Sequence, residues 1–420
     1  MARGLRSMPH NARYILPLES IWAVFGGMLF FYTPVYMRAL GLGDMQIGLV
    51  STVGLFIGCL STFFAAPLTN KYGRRWTLII WDVLSWGPAM LLWGLSQNVW
   101  FFVAAVIFNS FGKVAYVAWI CLLVEDSPPE RRAGIFAALS TIISLSAVFT
   151  PIAALLFERY GLVPTMRVLF LVGGVCMMGA FLVRHHFVRE TQPGLALMAV
   201  HKDHALMQGV MDFIRELPLL LRSRDKTLFA LIYILTSYVM AFNVFNVIYL
   251  NEQLRFNEGI LSLSPLISGL LNVVLVVMLI PRLRAVNEVL TLSASFVISL
   301  TGVFIFLLIP AGNVLLFLVS VTLTAGGSYL MTTFRDTAFM NSLGEHEKAN
   351  AFSGVQTLSA VATVPAGIIA GAIYSAAPRL LFMVIIVIHA VCMILSLLIL
   401  RHRKGDLSIK AAETADLTSR

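Results

Sequence analysis

Charged residues are scarce in this sequence. Asp, Glu, Lys and Arg make up 12% of its 420 residues, whereas ordinary soluble domains carry about 25%. Hydrophobic residues make up 59%, and the mean hydropathy is +0.86. A soluble fold has too little interior to bury so many apolar side chains. The composition therefore excludes an ordinary soluble protein and predicts an integral membrane protein.

Metal-binding and redox motifs are also missing. The four cysteines lie in apolar segments without CxxC spacing, which favours packing over disulfides: Cys59, Cys121, Cys176 and Cys392. Histidines cluster near one predicted membrane surface, at His185, His186, His201 and His204, and we expect none in mid-span. An isolated HxxH pair is a weak metal signal, so we expect no metal and no cofactor. Without a nucleophile and base set, the chain is not expected to be an enzyme.

Long apolar segments dominate the chain. About twelve of them reach the ~20 residues that a helix needs to cross a bilayer. Because an unpaired backbone group in lipid costs several kcal/mol, these segments must be helical. The expected spans are 14–37, 45–69, 76–95, 99–123, 133–157, 164–187, 227–250, 260–281, 289–309, 314–338, 350–375 and 380–400.

Positive charge falls mainly on one side of these spans. The formal net charge is +9, and most Lys and Arg residues lie in the loops on the side of the two chain ends. Such loops face the cytoplasm under the positive-inside rule. We therefore expect a cell-membrane protein with both termini in the cytoplasm. The basic balance is a topology signal, and we expect no nucleic-acid partner.

The sequence repeats weakly about its midpoint. The segment APLTNKYGRRWTL, from Ala66, aligns with IPRLRAVNEVLTL, from Ile280, at a shift of 214. RRAGIF, from Arg131, aligns with EKANAF, from Glu347, at a shift of 216. Two matches at nearly one offset predict two six-helix halves of parallel topology. The expected units are an N-terminal bundle at 1–188, a cytoplasmic linker with an amphipathic helix at 189–225, and a C-terminal bundle with a short tail at 226–420.

The loop after the second span has a recognisable pattern. It resembles the signature of the major facilitator superfamily, in which Gly, three residues and Asp precede a basic residue, any residue, Gly, Arg and another basic residue. The matching residues are Lys71, Gly73, Arg74 and Arg75. Ala66 and Asn70 stand where the family has Gly and Asp. VEDSPPERRAG, from Val124, is also similar to the family's loop between spans four and five.

The resemblance implies a fold and a conformational latch. The fold is an all-α integral membrane protein whose twelve transmembrane helices form two pseudo-symmetric six-helix bundles. The latch joins helices of the N-terminal half in one state of alternating access. Its expected residues are Asn70, Lys71, Gly73, Arg74, Arg75, Asp126 and Arg131. Because Asn70 removes a charge, we expect a weaker, hydrogen-bonded latch. The alternative is that KYGRR is only a positively charged loop.

A lysine stands near the middle of the fourth span. A cation at that depth costs at least about 2.5 kcal/mol, so such residues usually have a function. Asn109, Lys113 and Tyr116 recur at helical spacing and form one stripe, which the resemblance would place in the central substrate cavity. Three roles stay open for Lys113: binding an anionic or carbonyl-bearing substrate, forming an ion pair that breaks during transport, or snorkelling without function.

Few carboxylates can act as charge partners or proton carriers. Glu19 lies in the inner part of the first span, on a face shared with the cavity candidate Trp22, and we expect it to carry a coupling proton tuned by the lysine of the fourth span. Asp336, beside Arg335 near the inner end of the tenth span, is a second candidate for proton coupling. The pair could form an inner gate or simply be the polar end of its helix. Asp82 is expected to pair with a loop arginine.

Neutral hydrogen-bonding groups mark the seventh span. Thr236, Asn243 and Asn246 are expected in the substrate cavity, although buried Asn can equally bond a neighbouring helix. The sequence thus predicts a proton-coupled secondary transporter that exports a small amphiphilic or charged solute by alternating access. The alternatives are an uptake carrier for a small anionic or zwitterionic metabolite and a lipid flippase. A channel is disfavoured, because no ring of like groups lines one pore.

The expected partners follow from that function. They are a small-molecule substrate, protons as the coupling ion, and the lipid bilayer. We expect the protein to be a monomer.

Overall fold

The structure is a computed structural model that describes residues 8–201, 223–283, 286–343 and 348–418. The regular structure in these ranges is helical. Among the described residues, ten helices are long and apolar enough to cross a membrane, and two bent helix pairs bring the number of spans to twelve when each pair counts once. The predicted all-α membrane fold is confirmed.

We number the spans α1 to α12. α1 comprises His10–Leu29 and Thr33–Ala39, bent by 44°, and α11 comprises Gly354–Thr363 and Ala366–Ala376, bent by 40°. The other spans are α2 (Asp44–Tyr72), α3 (Arg74–Gly94), α4 (Val99–Val124), α5 (Gly134–Tyr160), α6 (Leu162–Phe187), α7 (Arg224–Glu252), α8 (Glu258–Leu279), α9 (Glu288–Leu308), α10 (Val314–Asn341) and α12 (Pro378–His402). Because twelve spans alternate in direction, α1 begins and α12 ends at one face, which we call the terminal face.

Asparagine side chains begin several of these helices. Each accepts a hydrogen bond from a backbone N–H in the first turn of α4, α8, α9 or α10; the four residues are Asn98, Asn257, Asn287 and Asn313. Such caps satisfy donors that have no partner within the helix. Glycine makes the tightest connections: Gly73 joins α2 to α3 and Gly161 joins α5 to α6, both with φ of 82°.

Both halves follow one packing scheme. α4 packs between α2 and α3, and α1 packs between α5 and α6. In the C-terminal half, α10 packs on α8 and α9, and α7 packs on α11 and α12. α3 lies against α6 behind the first set, as α9 lies against α12 behind the second. α1 and α4 have few backbone contacts with each other, as do α7 and α10.

Glycines bring the two halves into close contact. α2 and α11 cross where Gly48 faces Gly367 and Gly371, and a Cβ on any of the three would lie 2.5, 2.6 or 2.7 Å from a backbone oxygen of the other helix. α5 and α8 cross at Gly269, where a Cβ would lie 2.7 Å from the carbonyl oxygen of Ser144. Small residues permit this approach in membrane helices, where backbone packing drives association.

Polar contacts join the halves away from the terminal face. At the end of α1, Arg38 forms an ion pair across the interface with Glu252, at 2.8 Å, and a second ion pair with Asp44 of its own half. The hydroxyl of Tyr32 donates to the carbonyl oxygen of Glu258 at 2.9 Å. These contacts and the crossing of α2 with α11 hold the halves together towards the face opposite the terminal one, while the crossing of α5 with α8 lies near mid-span.

The linker between the halves begins with a helix. It runs over Gln192–His201 and packs against α2. The predicted amphipathic stretch, from Leu206 to Leu221, lies outside the described residues, as does His204.

Candidate functional site

The signature loop forms an ion pair with the end of α4. Arg74 begins α3 and is buried, and its guanidinium donates to both carboxylate oxygens of Glu125 at 3.0 to 3.3 Å. It also reaches the carbonyl oxygen of Thr69 at 3.4 Å. The hydroxyl of Thr191, in the linker, donates to the same carboxylate. Charge-assisted bonds of this kind are stronger than neutral ones, so α2, α3, α4 and the linker are tied together.

The charge of Glu125 is stabilised by these partners. Burial alone would raise the pKa of this carboxyl, but the hydrogen bonds from Arg74 and Thr191, the positive charge of Arg74 and a contact with Cys121 together outweigh burial. The pKa of Glu125 therefore lies below its ordinary value. The carboxylate stays ionised, and its ion pair stays formed, at neutral pH.

Arg75 and Gly73 tie the loop to α6 and to the linker. The backbone N–H of Arg75 donates to Glu190 at 2.9 Å, and its guanidinium donates to the carbonyl oxygen of His185 at 3.0 and 3.3 Å. Gly73 has a positive φ, and a Cβ there would lie 2.6 Å from the sulfur of Met198 and 2.7 Å from Glu190. The positive φ is the feature that favours glycine, because the ends of the flexible Met198 and Glu190 side chains could shift.

The other residues predicted for the latch are Asn70, Lys71, Asp126 and Arg131. Asp126 is exposed, and its carboxylate accepts a hydrogen bond from the backbone N–H of Gln192 at 3.4 Å, so Glu125 holds the place that we predicted for Asp126. Asn70 and Lys71 are half-buried, and Arg131 is exposed in the turn that leads into α5. The weaker, hydrogen-bonded latch expected from Asn70 stays a prediction, and the ion pair of Arg74 with Glu125 places charge in this network.

Lys113 lies on an exposed face of α4. Its Cγ and Cε atoms both lie 3.9 Å from the point that a Cβ on Gly58 of α2 would occupy. Lys113 is exposed, and Tyr116, on the same stripe, is 59% exposed. Asn109 is half-buried, and its Nδ2 has no hydrogen-bond partner in the described part of the chain. The stripe thus presents a cation, an amide and a phenol on one surface.

Helix geometry decides which way this stripe looks. At ~100° per residue, the stripe on α4 lies roughly 70° away from the face of Val106 and Ser110 that contacts α2. On α2, the face of Gly48, which contacts α11, is rotated by roughly 120° in the opposite sense from the face of Gly54, which contacts α4. α2 and α4 run in the same direction, and their contact faces point towards each other. Rotations of opposite sense from those two faces therefore lead to the same side of the helix pair. The stripe therefore looks towards the side on which α11 and the C-terminal half lie.

A charged cluster lies inside the N-terminal half. Asp82 on α3 and Arg184 on α6 are buried and form an ion pair, and the guanidinium also lies 4.8 Å from the ring of Phe181. Glu19 on α1 is half-buried, and its main electrostatic partners are Arg184 and Asp82. The indole Nε1 of Trp119 is buried beside Glu19, outside ordinary hydrogen-bond geometry.

Two expectations change as a result. Asp82 pairs with Arg184 inside α6, so the predicted loop arginine is wrong. The cation that acts on Glu19 is Arg184, where we predicted Lys113. Trp22, one turn from Glu19, is half-buried and packs 6.0 Å from Trp86, so its ring is part of an aromatic cluster.

A second cluster surrounds Arg335 in the C-terminal half. Arg335 is buried, lies 4.0 Å from the ring centre of Tyr233, and donates to the hydroxyl of Thr236 at 2.8 Å. Asp336 accepts hydrogen bonds from Arg335 at 3.0 Å and from the hydroxyl of Tyr233 at 2.6 Å. Thr236 is therefore buried against Arg335, and its predicted place in the cavity lining is wrong.

A pocket of about 370 Å³, counted with its open mouth, lies in the gap between α7 and α10. Asn243 and Asn246 line it from α7, Thr324 and Ser328 from α10, and His389 from α12. His389 is 3% exposed and lies in the middle of α12. The expectation that no histidine lies in mid-span is wrong.

Sequence reasoning missed several of these residues. We did not predict that Arg184 lies beside Asp82, although position 184 falls within the predicted sixth span, 164–187. The contact of Arg335 with Thr236 was not predicted either. Helical spacing from the nearest loop would have placed Arg184 at the depth of Asp82, and the apolar run around His389 marks it as a membrane residue. No signal in the sequence pointed to Ser328.

The fold and these sites agree with the comparison to known proteins. The model of the Major Facilitator Superfamily matches residues 20–335, three quarters of the chain. This chain belongs to the major facilitator superfamily. The family match includes the signature loop, the ion pair of Asp82 with Arg184 and the α4 stripe.

Individual relatives are more distant. The Multidrug resistance protein MdtG of Salmonella paratyphi A is 27% identical over 249 residues, which cover 55% of this chain and 59% of the relative. The match thus spans less than two thirds of that protein's length. The crystal structure of the nucleoside transporter NupG has a TM-score of 0.71 at 11% identity and covers 94% of this chain and 99% of its own. The peptide transporter POT in complex with sulfate has a TM-score of 0.68 at 15% identity, with 96% and 97% coverage. These structures share the fold, and they are transporters, not enzymes.

Proposed function

We propose that the chain is a proton-linked secondary transporter that moves a small amphiphilic or charged solute by alternating access. One observation carries the proposal: within the spans, Asp82 forms an ion pair with the only guanidinium of the cluster, Arg184, while Glu19 lies within electrostatic range of both and has no ion pair of its own among the described residues. The cluster has one more negative charge than positive charge. Because uncompensated charge is costly inside the membrane, a proton on Glu19 would neutralise the cluster.

Glu19 is the member of the cluster that exchanges the proton. It is half-buried, whereas Asp82 is 7% exposed and Arg184 is 4% exposed. A proton on Glu19 leaves the buried ion pair intact, whereas a proton on Asp82 would break it. Asp336 was the second candidate, but it already accepts hydrogen bonds from two groups, so we assign it to the anchoring of Arg335.

The contacts between the halves supply the alternation. We propose that the terminal face, with its basic loops, is cytoplasmic, and that the structure is therefore closed to the outside. The glycine crossing of α2 with α11 and the ion pair of Arg38 with Glu252 would separate as the halves rock. The network of Arg74 and Glu125 keeps the N-terminal half rigid during that movement.

The exposed stripe of α4 favours an amphiphilic cargo. Lys113 offers a cation to an anionic or carbonyl group, while Tyr116 offers an aromatic face.

Export is our preferred direction, because the relative with partial coverage bears the name of a multidrug resistance protein. A carrier for small anionic or zwitterionic solutes is the second candidate, and the exposed lysine is the observation that favours it.

The proposal is tested by transport in proteoliposomes. Norfloxacin, a fluorescent zwitterionic aromatic compound, serves as the probe, and an imposed pH gradient serves as the driving force. Wild-type protein should accumulate norfloxacin against its gradient, and Glu19→Gln should exchange it only down its gradient. Glu158→Gln, in the last turn of α5, is the matched control and should behave as wild type. Gradient-driven accumulation that is unchanged in Glu19→Gln would show that the proton is carried elsewhere.

A further inference from the structure

The pocket between α7 and α10 reaches deeper than the space between the two halves. α9 and α12, which pack behind the inner helices, contribute Val303, Phe306, Phe382 and His389 to its wall. Asn243, at its mouth, is exposed. The cavity is therefore a fissure within the C-terminal half, and its opening lies beside α7, at Asn243.

His389 presents a free acceptor to this fissure. Its Nδ1 lies 2.8 Å from the carbonyl oxygen of Ile385, one turn back on α12. A carbonyl oxygen only accepts hydrogen bonds, so Nδ1 carries the proton and, in the neutral ring, Nε2 carries the lone pair. The hydrogen bond fixes both the tautomer and the ring orientation. No described residue bonds Nε2.

The rest of the lining fixes the kind of ligand. None of the ten lining residues, all of which lie in the described part of the chain, is Asp, Glu, Lys or Arg. Asn243 accepts a hydrogen bond from Asn246 at 3.1 Å, which orients the amide pair. Phe306 and Phe382 lie 4.8 Å apart and form an aromatic corner. The fissure combines a flat apolar wall with fixed hydrogen-bond acceptors.

We propose that this fissure binds an aromatic ligand that carries an O–H or N–H donor, with the donor on Nε2 of His389 and the ring against Phe306 and Phe382. The uncharged lining selects a neutral aromatic portion. Under the transport function proposed above, this portion is one end of the cargo, and the stripe of Lys113 binds the other.

A pair of matched probes tests the site. 2-Naphthol has the donor, and 2-methoxynaphthalene has the same ring system without it. Binding is measured by equilibrium dialysis of the full chain in lipid nanodiscs, with empty nanodiscs as the blank. We expect 2-naphthol to bind about tenfold more tightly, the factor that one hydrogen bond provides. Equal affinity for the two probes would overturn the proposal.

Variants locate the bound probe. His389→Phe removes the acceptor and fills the fissure, so binding of 2-naphthol should fall to the blank. His389→Gln keeps an acceptor and should retain part of the preference, and His186→Phe, at the exposed end of α6, should retain all of it. Asn243→Leu alters the exposed mouth with little risk to folding and should weaken both probes. Unchanged affinity in both His389→Phe and Asn243→Leu would place the ligand elsewhere.

The outcomes separate this site from the transport function. If 2-naphthol binds as expected but no pH-driven transport occurs, the transport proposal fails and the site stands. If transport occurs and substitution of His389 leaves the affinity for both probes unchanged, the proposed site is wrong and the transport proposal stands.

Discussion

The two halves share one helix arrangement but carry different chemistry at matching positions. α1 and α7 begin 214 residues apart, as do α3 and α9. At the same offset, Tyr233 stands where the N-terminal half has Glu19, and Phe296 stands where it has Asp82. The charged cluster of one half is therefore replaced by a phenol and a buried ring in the other.

The interior space of the two halves also differs. α6 and α12 begin 216 residues apart, and at that offset Gly173 stands opposite His389. A Cβ on Gly173 would lie 2.9 Å from the ring of Phe25, and Trp93 packs 5.5 Å from Phe170 nearby. The N-terminal half is filled where the C-terminal half has its pocket. The comparison supports a division of labour in which one half binds the proton and the other binds the cargo.

The charged cluster offers the largest test of this difference. Arg184→Leu leaves Asp82 buried without its partner, and such a loss costs about 3–5 kcal/mol. We expect a large fall in the thermal unfolding temperature of the purified protein. The double variant with Asp82→Leu copies the apolar C-terminal half and should recover most of that stability without proton coupling. Phe296→Leu is the matched control and should cost much less. A single variant as stable as wild type would contradict the ion pair.

The crossing of the halves should respond next most strongly. Gly371→Val places side-chain atoms against the backbone of α2, and overpacking costs about 1–3 kcal/mol. The two halves meet at the face opposite the terminal one in this structure. We expect that conformation to become less populated in the variant. Maleimide labelling of a cysteine placed at Tyr32 should become faster. Gly134→Val, where a Cβ meets nothing within 4 Å, is the control. Equal labelling rates in the two variants would argue against a role for this crossing.

The residues that precede α3 and α9 also differ between the two halves. Gly73 precedes α3 with a positive φ, whereas Asn287 precedes α9 as an ordinary cap. Gly73→Ala combines backbone strain with two overlaps and should cost about 2 kcal/mol. Asn287→Ala removes a cap and should cost about 1 kcal/mol. Thermal unfolding measures both, and the reverse order would contradict the assignment of the latch to the N-terminal half.

The smallest expected effect is the pH dependence of the latch. The pKa of Glu125 in the folded protein lies below its ordinary value, so the ion pair with Arg74 stabilises the fold above the unfolded-state pKa. That contribution is lost as the pH falls through the lower, folded-state pKa. Glu125→Gln should cost about 1 kcal/mol at neutral pH, and the difference from wild type should shrink in acid. A difference that does not change with pH would show that the charge is unimportant.

The sequence predicted the helices well, because a run of apolar residues in lipid has no alternative to helix. The signature motif likewise predicted a latch at Gly73, Arg74 and Arg75. The partner of Arg74 was not predicted, because Glu125 and Asp126 are neighbours and only the rotation at the end of α4 decides which of them points inward.

Side-chain partners between distant helices were harder to predict. Whether Thr236 faces the cavity or Arg335 depends on how α7 and α10 are rotated, which spacing within one helix does not determine. The pocket at His389 depends on how closely four helices pack, and no single segment of the sequence records that distance.

The central claim is that Glu19 takes up a proton within the N-terminal half, and tryptophan fluorescence tests it most directly. All seven tryptophans lie between residues 22 and 119, and Trp119 is buried beside Glu19. We predict that the intrinsic fluorescence of the purified protein changes in one pH-dependent step and that Glu19→Gln and Trp119→Phe both lose this step. A step that persists unchanged in Glu19→Gln would contradict the claim.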